Sequence, residues 1–300
     1  MRAMRFYAGV LVALCSCSPA PSGDFVFGGP DDELGGSTGR FDASSGEDTT
    51  GTSGAHGESQ DLPELRLDAG PPDAPSEAPA VVYGQDAETL WRRLDPETLE
   101  LVRVGDFSGC QGSVIDIAVD RAGAMVAATY DSLWSVDPST GECSWVADGM
   151  FPTSLSYIPA GLLGDYEALV GFVAGGTYVE IDPETGRQYV LGHLPPGLES
   201  SGDVVSVEGG PTWLTVRGAG CEDQDCLVEL DPATGELVAA YGRIGFDQVY
   251  GLAAWGGRAY GFAREGVVFE VQVPGPLTTV ISEAGPEWFG AGSSTLVPAG

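Results

Sequence analysis

LWSVDPSTGE at residues 133–142, YVEIDPETGR at 178–187 and LVELDPATGE at 227–236 are copies of one pattern, and LWRRLDPETLE at 90–100 is a fourth. In each copy a short apolar run ends in Asp-Pro-x-Thr, and in three of them Gly follows. These residue types describe a turn. Asp accepts a hydrogen bond from the backbone two residues on, Pro fixes φ at the next position, and Gly supplies the left-handed conformation that closes a bulged hairpin. The aspartates fall at 95, 137, 182 and 231, spaced 42, 45 and 49 residues apart. Such a period is that of a four-stranded propeller blade, so the motif marks the turn between a blade's third and fourth strands. A degenerate fifth copy, VVFEVQVPGP at 267–276, carries Gln272 in the Asp position.

A second pattern recurs upstream of the turns: SVIDIAVDRAG (113–123), SLSYIPAG (154–161), DVVSVEGG (203–210), YGLAAWGG (250–257) and GAGSSTLVPAG (290–300). Each is a short strand of small or apolar residues followed by Gly, as the crowded innermost strand of a blade requires. Second strands follow in MVAATY, ALVGFVA, TWLTVR and AYGFA. The first turn has only VVYGQ before it, and the last inner strand, expected at 291–297, has nothing after it. Together they make one blade shared by the two chain ends, which closes the ring and hides its edges. The expected fold is therefore all-β: a five-bladed propeller over 80–300, with complete blades at about 107–148, 149–194, 198–242 and 243–283. A β-sandwich explains neither the period nor the orphan strand, and 221 residues leave little room for a sixth blade.

Composition restricts the chemistry. The chain has 44 acidic residues against 13 basic ones, a net charge of −31, which repels nucleic acid and anionic lipid headgroups. All 13 bases are Arg, so Schiff-base and general-base lysine mechanisms are excluded. His56 and His193 are the only histidines, too few for a zinc cluster, and no cofactor or metal is expected.

Arg2 and Arg5 precede the nine-residue apolar run Phe6 to Leu14, too short to span a bilayer and right for an export signal at 1–16. Leu14-Cys15-Ser16-Cys17 resembles the bacterial lipobox, which implies cleavage before Cys17 and its lipidation. Ser18 at the next position implies passage to the outer membrane, on its periplasmic face or at the cell surface. An ordinary secretory signal with two incidental cysteines is the alternative. Residues 18–79 hold 13 acids against Arg40 and Arg66 and few apolar side chains. Such a segment cannot bury enough surface to offset its ordering entropy, so 17–79 is expected to be a disordered acidic tether.

The repeats resemble the broad superfamily of quinoprotein-like and WD40-like propellers, whose turns often read Asp-x-x-Thr-Gly. That resemblance implies blade geometry and not an activity. The eight-bladed quinoprotein dehydrogenases and the eight-bladed outer-membrane assembly lipoprotein differ from it in blade number, and the dehydrogenases' cofactor-ligating pattern is missing.

Few residues invite a chemical role. Cys221 and Cys226 bracket CEDQDC and can close a hairpin end with a disulfide in an oxidising compartment. Cys110 and Cys143 complete an even count, although strand alternation sets them near opposite ends of one blade. Asp116 on an inner strand and Asp203 near another face the central channel, where paired carboxylates would serve a polysaccharide hydrolase; a solvated channel lining is the plainer role. The six tryptophans are expected mostly between blades, with Trp255 and Trp288, beside inner strands, as candidates for stacking on a sugar or peptide at the axial mouth. Two functions follow. One is a membrane-tethered, monomeric, non-enzymatic binding or scaffolding lipoprotein that holds a protein or glycan on a propeller face. The other is a carboxylate-dependent polysaccharide hydrolase working in the channel.

Overall fold

The computed structural model describes residues 81–93, 101–256, 258–273 and 277–296. The expected leader, Cys17, the acidic tether and the Asp-Pro turn at 94–100 lie outside the described residues. What is described is all-β, five antiparallel sheets of four strands each. Strands β1 (Val82–Gln85), β2 (Thr89–Arg93) and β3 (Leu101–Asp106) belong to the shared blade. The first complete blade is β4 (Asp116–Val119), β5 (Met125–Ala128), β6 (Ser132–Val136) and β7 (Cys143–Asp148). The second is β8 (Leu155–Ile158), β9 (Ala168–Val173), β10 (Thr177–Ile181) and β11 (Gln188–His193). The third runs β12 (Leu198–Ser206), β13 (Thr212–Gly218), β14 (Cys221–Leu230) and β15 (Leu237–Arg243), and the fourth β16 (Val249–Trp255), β17 (Arg258–Ala263), β18 (Val268–Gln272) and β19 (Leu277–Ser282). The last strand, β20 (Gly290–Ser293), returns to pair with β1 as the inner strand of the shared blade, in the order β20-β1-β2-β3. It is shorter than the 291–297 read from sequence and starts one residue earlier.

Each strand of a propeller blade faces a neighbour on both sides, and the first blade shows how alternation serves both. Ile117, Val119, Met125 and Ala127 pack toward the shared blade, whereas Ala118, Val126 and Ala128 pack toward the second. Five buried clusters result, one at each junction of adjacent blades. Because alternate residues enter different cores, β4 and β5 are buried along their whole length and read as unbroken apolar runs instead of alternating ones. Outer strands such as β7 and β11 keep an exposed face.

The Asp-Pro turns repeat in atomic detail. Asp137, Asp182 and Asp231 accept the amides of Ser139, Glu184 and Ala233 at 2.8, 2.9 and 2.8 Å. Their carbonyls accept the amides of Gly141, Gly186 and Gly235, each at 2.8 Å, and those glycines have φ of 81, 69 and 70°. The same turns join blades. A side chain at Gly235 would sit 2.8 Å from the ring of Tyr178 in the preceding blade, and the Tyr178 hydroxyl donates to the Pro232 carbonyl at 3.0 Å. Gly141 and Gly186 likewise abut the preceding blade, at the Asp106 carbonyl and at Ala147 and Phe151, so the turn recurs at each junction while the group it meets changes.

At the closing junction Trp288 is fully buried, edge-on to Phe262 with centroids 5.3 Å apart. Gly84 leaves it room, because a Cβ there would lie 2.7 Å from the indole. The expected stacking role of Trp288 at the mouth is therefore corrected: its ring is a wedge in the ring closure. Trp255, at the far end of β16, is partly buried against the same cluster and does not line the axial pocket. Trp134 and Trp213 are buried between blades as expected, whereas Trp145 stands 58% exposed on β7. His193 ends β11.

Two disulfides are present. Cys221 and Cys226 are joined with Cα atoms 5.8 Å apart, both within β14, where a register shift bulges the intervening residues. Cys110 and Cys143 are joined at 5.1 Å, which corrects the placement at opposite ends of a blade. Alternation failed there because Cys110 is on no strand: the segment entering the blade runs beside β7, and the Cys143 amide donates to the Ser108 carbonyl at 2.7 Å.

Candidate functional site

Four of the inner strands meet through two buried aspartates. Asp116 on β4 and Asp203 on β12 occupy equivalent places in the first and third blades, and both are completely buried. Asp116 accepts the amides of Ile117, at 2.8 Å, and of Leu155 on the next blade's inner strand. Asp203 repeats the arrangement with Val204 at 2.8 Å and Leu252 at 3.2 Å. Each carboxyl therefore ties its blade to the following one. The two also hydrogen-bond to each other.

Burial pushes both carboxyls well above the ordinary aspartate range. For Asp203 the charge of Asp116 and the hydrogen bond to it push further, whereas that same bond lowers Asp116. Two adjacent carboxylates in a dry site cannot both ionise, so at least one of the pair stays protonated. The reading of these acids as channel-lining is corrected: neither reaches solvent, and they are in contact rather than separated by the gap of a glycosidase pair, ~5 Å or more. A substrate has no path to them.

One residue away from the pair lies an open pocket of about 410 Å³. All five blades contribute to it. Ile115 and Tyr130 come from the first blade, Thr153 from the second, Ser200 to Gly202 and Arg217 from the third, Tyr250 and Arg264 from the fourth, and Phe289 from the shared blade. Local sequence explains the shape. The register of β12 against β13 shifts between Ser200 and Val204, which pushes Ser200 to Gly202 into the mouth. Only glycine fits at 202, since a Cβ there would lie 1.9 Å from the Val249 carbonyl oxygen.

Gln248 holds two lining residues at once. Its φ is 54°, unusual for a residue with a side chain, and its carbonyl accepts the amides of Tyr250 and Arg264, each at 3.0 Å. The Arg264 guanidinium then lies 5.7 Å from the centroid of Phe289, whose ring is 6.1 Å from that of Tyr250. Arg264 pairs with Glu287, and Arg217 with Glu199 at 3.2 Å, its cross-strand neighbour. Among the described residues, the charged side chains that line the pocket are these two arginines.

Inside the same fold, Asp225 of CEDQDC accepts the Val249 amide at 2.7 Å, and burial pushes its carboxyl up to about 6. Among the described residues no cluster of His, Cys, Asp or Glu is arranged to hold a metal.

Sequence reading therefore missed the pocket's own residues. Tyr130 and Arg217 close the runs MVAATY and TWLTVR, and Arg264 follows AYGFA, so all three stand at the same place in the repeat, the end of the second strand. That shared position was the available signal.

Neither a protein-family model nor the sequence of a curated protein matches the chain. Among solved structures it is similar to the β-propeller domain of Cps50 (Swd1) from Myceliophteria thermophila, at 14% identity over 65% of this chain and 62% of that one, with a TM-score of 0.41. It is also similar to BamB from Moraxella catarrhalis, at 14% identity over 67% and 69% of the two chains, with a TM-score of 0.32. The chain thus spans less than two thirds of the Cps50 domain. Its assignment as a propeller rests on its own five closed sheets.

Proposed function

We propose that this chain is an exported, membrane-tethered binding protein that holds a protein or glycan partner on the propeller face carrying the axial pocket, without catalysing a reaction on it. The observation that carries this reading is the pocket itself, built from all five blades and lined by aromatic rings, hydroxyls and two guanidinium groups. Its volume falls in the range of natural ligand sites, ~300–1,000 Å³. Beneath it the one pair of acids suited to hydrolysis is sealed and occupied with joining blades. The hydrolase alternative therefore loses the residues on which it stood.

The anchor half of the proposal rests on Leu14-Cys15-Ser16-Cys17 and on the acidic, apolar-poor composition of 18–79, with 13 acids against two arginines. Two disulfides accord with an oxidising compartment. A photoreactive residue at position 130, in the mouth, tests the binding site, with one at position 189, on outer strand β11, as control. Crosslinks to a partner in the cell envelope from 130 and not from 189 are expected. Crosslinks from 189 alone, or from neither, would overturn the axial reading. Cys17→Ala should move the protein from the membrane to the soluble fraction; retention in the membrane would remove the lipid anchor from the proposal.

A further inference from the structure

The chemistry of the pocket narrows its ligand, an inference that rests on the axial mouth being the binding site. We infer that the pocket takes an anionic sugar, a pyranose ring bearing a carboxylate.

Charge is the first reason. Acids outnumber bases 44 to 13 in the chain, yet the charged groups that line this pocket are Arg217 and Arg264. A guanidinium has five N–H donors in a planar fork that matches a carboxylate. The ion pair of Arg217 uses Nη2 and that of Arg264 uses Nε, so each retains N–H groups for a ligand. Both pairs are roughly half exposed, with side chains at 63% and 55% for Arg217–Glu199 and at 45% and 54% for Arg264–Glu287. Exposed pairs of this kind are worth ~1 kcal/mol or less, so a ligand carboxylate displaces them readily.

The uncharged lining supplies the second reason. Thr153 and Ser200 bring two hydroxyls to the pocket beside the rings of Tyr130, Tyr250 and Phe289, that of Ser200 also donating to the Gly202 carbonyl at 2.8 Å, whereas the Ser201 hydroxyl is buried. Hydroxyls answer the hydroxyls of a sugar, and an aromatic face covers the C–H face of its ring. Tyr130 stands 69% exposed at the mouth, which leaves its ring free to stack on a ligand. A buried peptide anchor would instead call for an apolar slot. Size sets a further limit: the net charge of −31 opposes a long polyanion beyond the pocket, so the site suits a single acidic ring or chain end.

Titration of the full chain with methyl galacturonoside and methyl galactoside tests this directly, since the two sugars differ only by carboxylate against hydroxymethyl. The acidic sugar is expected to bind at least tenfold more tightly, and the double variant Arg217→Gln, Arg264→Gln to abolish that preference while leaving the melting temperature unchanged. Tyr130→Ala should weaken both sugars alike. Equal binding of the two sugars, unaffected by the arginine changes, would overturn the anionic assignment and leave the axial mouth as the binding site. Binding of neither sugar would overturn the inference as a whole, while the crosslink from position 130 still decides the wider reading.

Discussion

Replacing Asp203 by Asn removes a titrating group from the axis while keeping its shape. In the wild type the Asp116–Asp203 pair is fully buried, and burial keeps at least one proton on it well above the ordinary aspartate range. Unfolding releases that proton wherever the pH exceeds the ordinary aspartate value of ~3.9. A group whose pKa is raised by folding gives stability that is full below its unfolded pKa and is lost as the pH climbs toward its folded one. Acid therefore favours the ring, and from ~pH 4 upward the retained proton makes stability fall by about 1.4 kcal/mol per pH unit until it leaves the pair. In Asp203→Asn the amide donates to Asp116 without a titratable proton of its own, so the slope due to Asp203 disappears and only what the burial of Asp116 contributes remains. The variant keeps one oxygen for two amides, those of Val204 and Leu252, and an unmet buried donor costs about 1–3 kcal/mol. Asp203→Asn should thus be the less stable protein at pH 5, and the gap should shrink or reverse by pH 8. Asp225, whose carboxyl is raised to about 6, contributes a fall of the same sign between ~pH 4 and 6 in both proteins and cancels in the difference. Urea unfolding followed by tryptophan fluorescence at pH 5, 6, 7 and 8 reads this. Parallel stability curves for the two proteins would refute the shared proton.

Two further perturbations test the ring. Cys110→Ser opens a bridge spanning 33 residues and Cys221→Ser one spanning 5, so chain entropy sets losses of about 4 and about 2 kcal/mol; thermal melts that rank them the other way would contradict this. Trp288→Ala removes a fully buried wedge from the closing junction and should cost ~3–5 kcal/mol, with amide exchange accelerating first in β1 and β20; uniform acceleration through all five blades would show that closure is not the weak seam.

The architecture was legible because a propeller repeats its contacts. Asp137, Asp182 and Asp231 recur because each makes the same turn, and the orphan strand before residue 300 has only one place to go. The site was less legible because it is where the repeat is broken. Tyr130, Arg217 and Arg264 share a position, but one tyrosine and two arginines do not read as a repeat, and no local pattern states that their blades aim them at one point. Asp116 and Asp203 were found as inner-strand acids, but their role turns on Leu155 and Leu252, 39 and 49 residues further on. The Cys110 pairing depended on a connecting segment outside any strand, where period-two alternation has nothing to say.

The claim at the centre of this account is that the propeller works through the pocket at its axial mouth. A ¹⁵N–¹H shift map of the full chain titrated with methyl galacturonoside tests it most directly. The largest shifts should fall at Tyr130, Thr153, Ser200 to Gly202, Tyr250 and Phe289, which five different blades bring together. Largest shifts on the outer strands β7, β11 and β15, with the mouth unmoved, would contradict it.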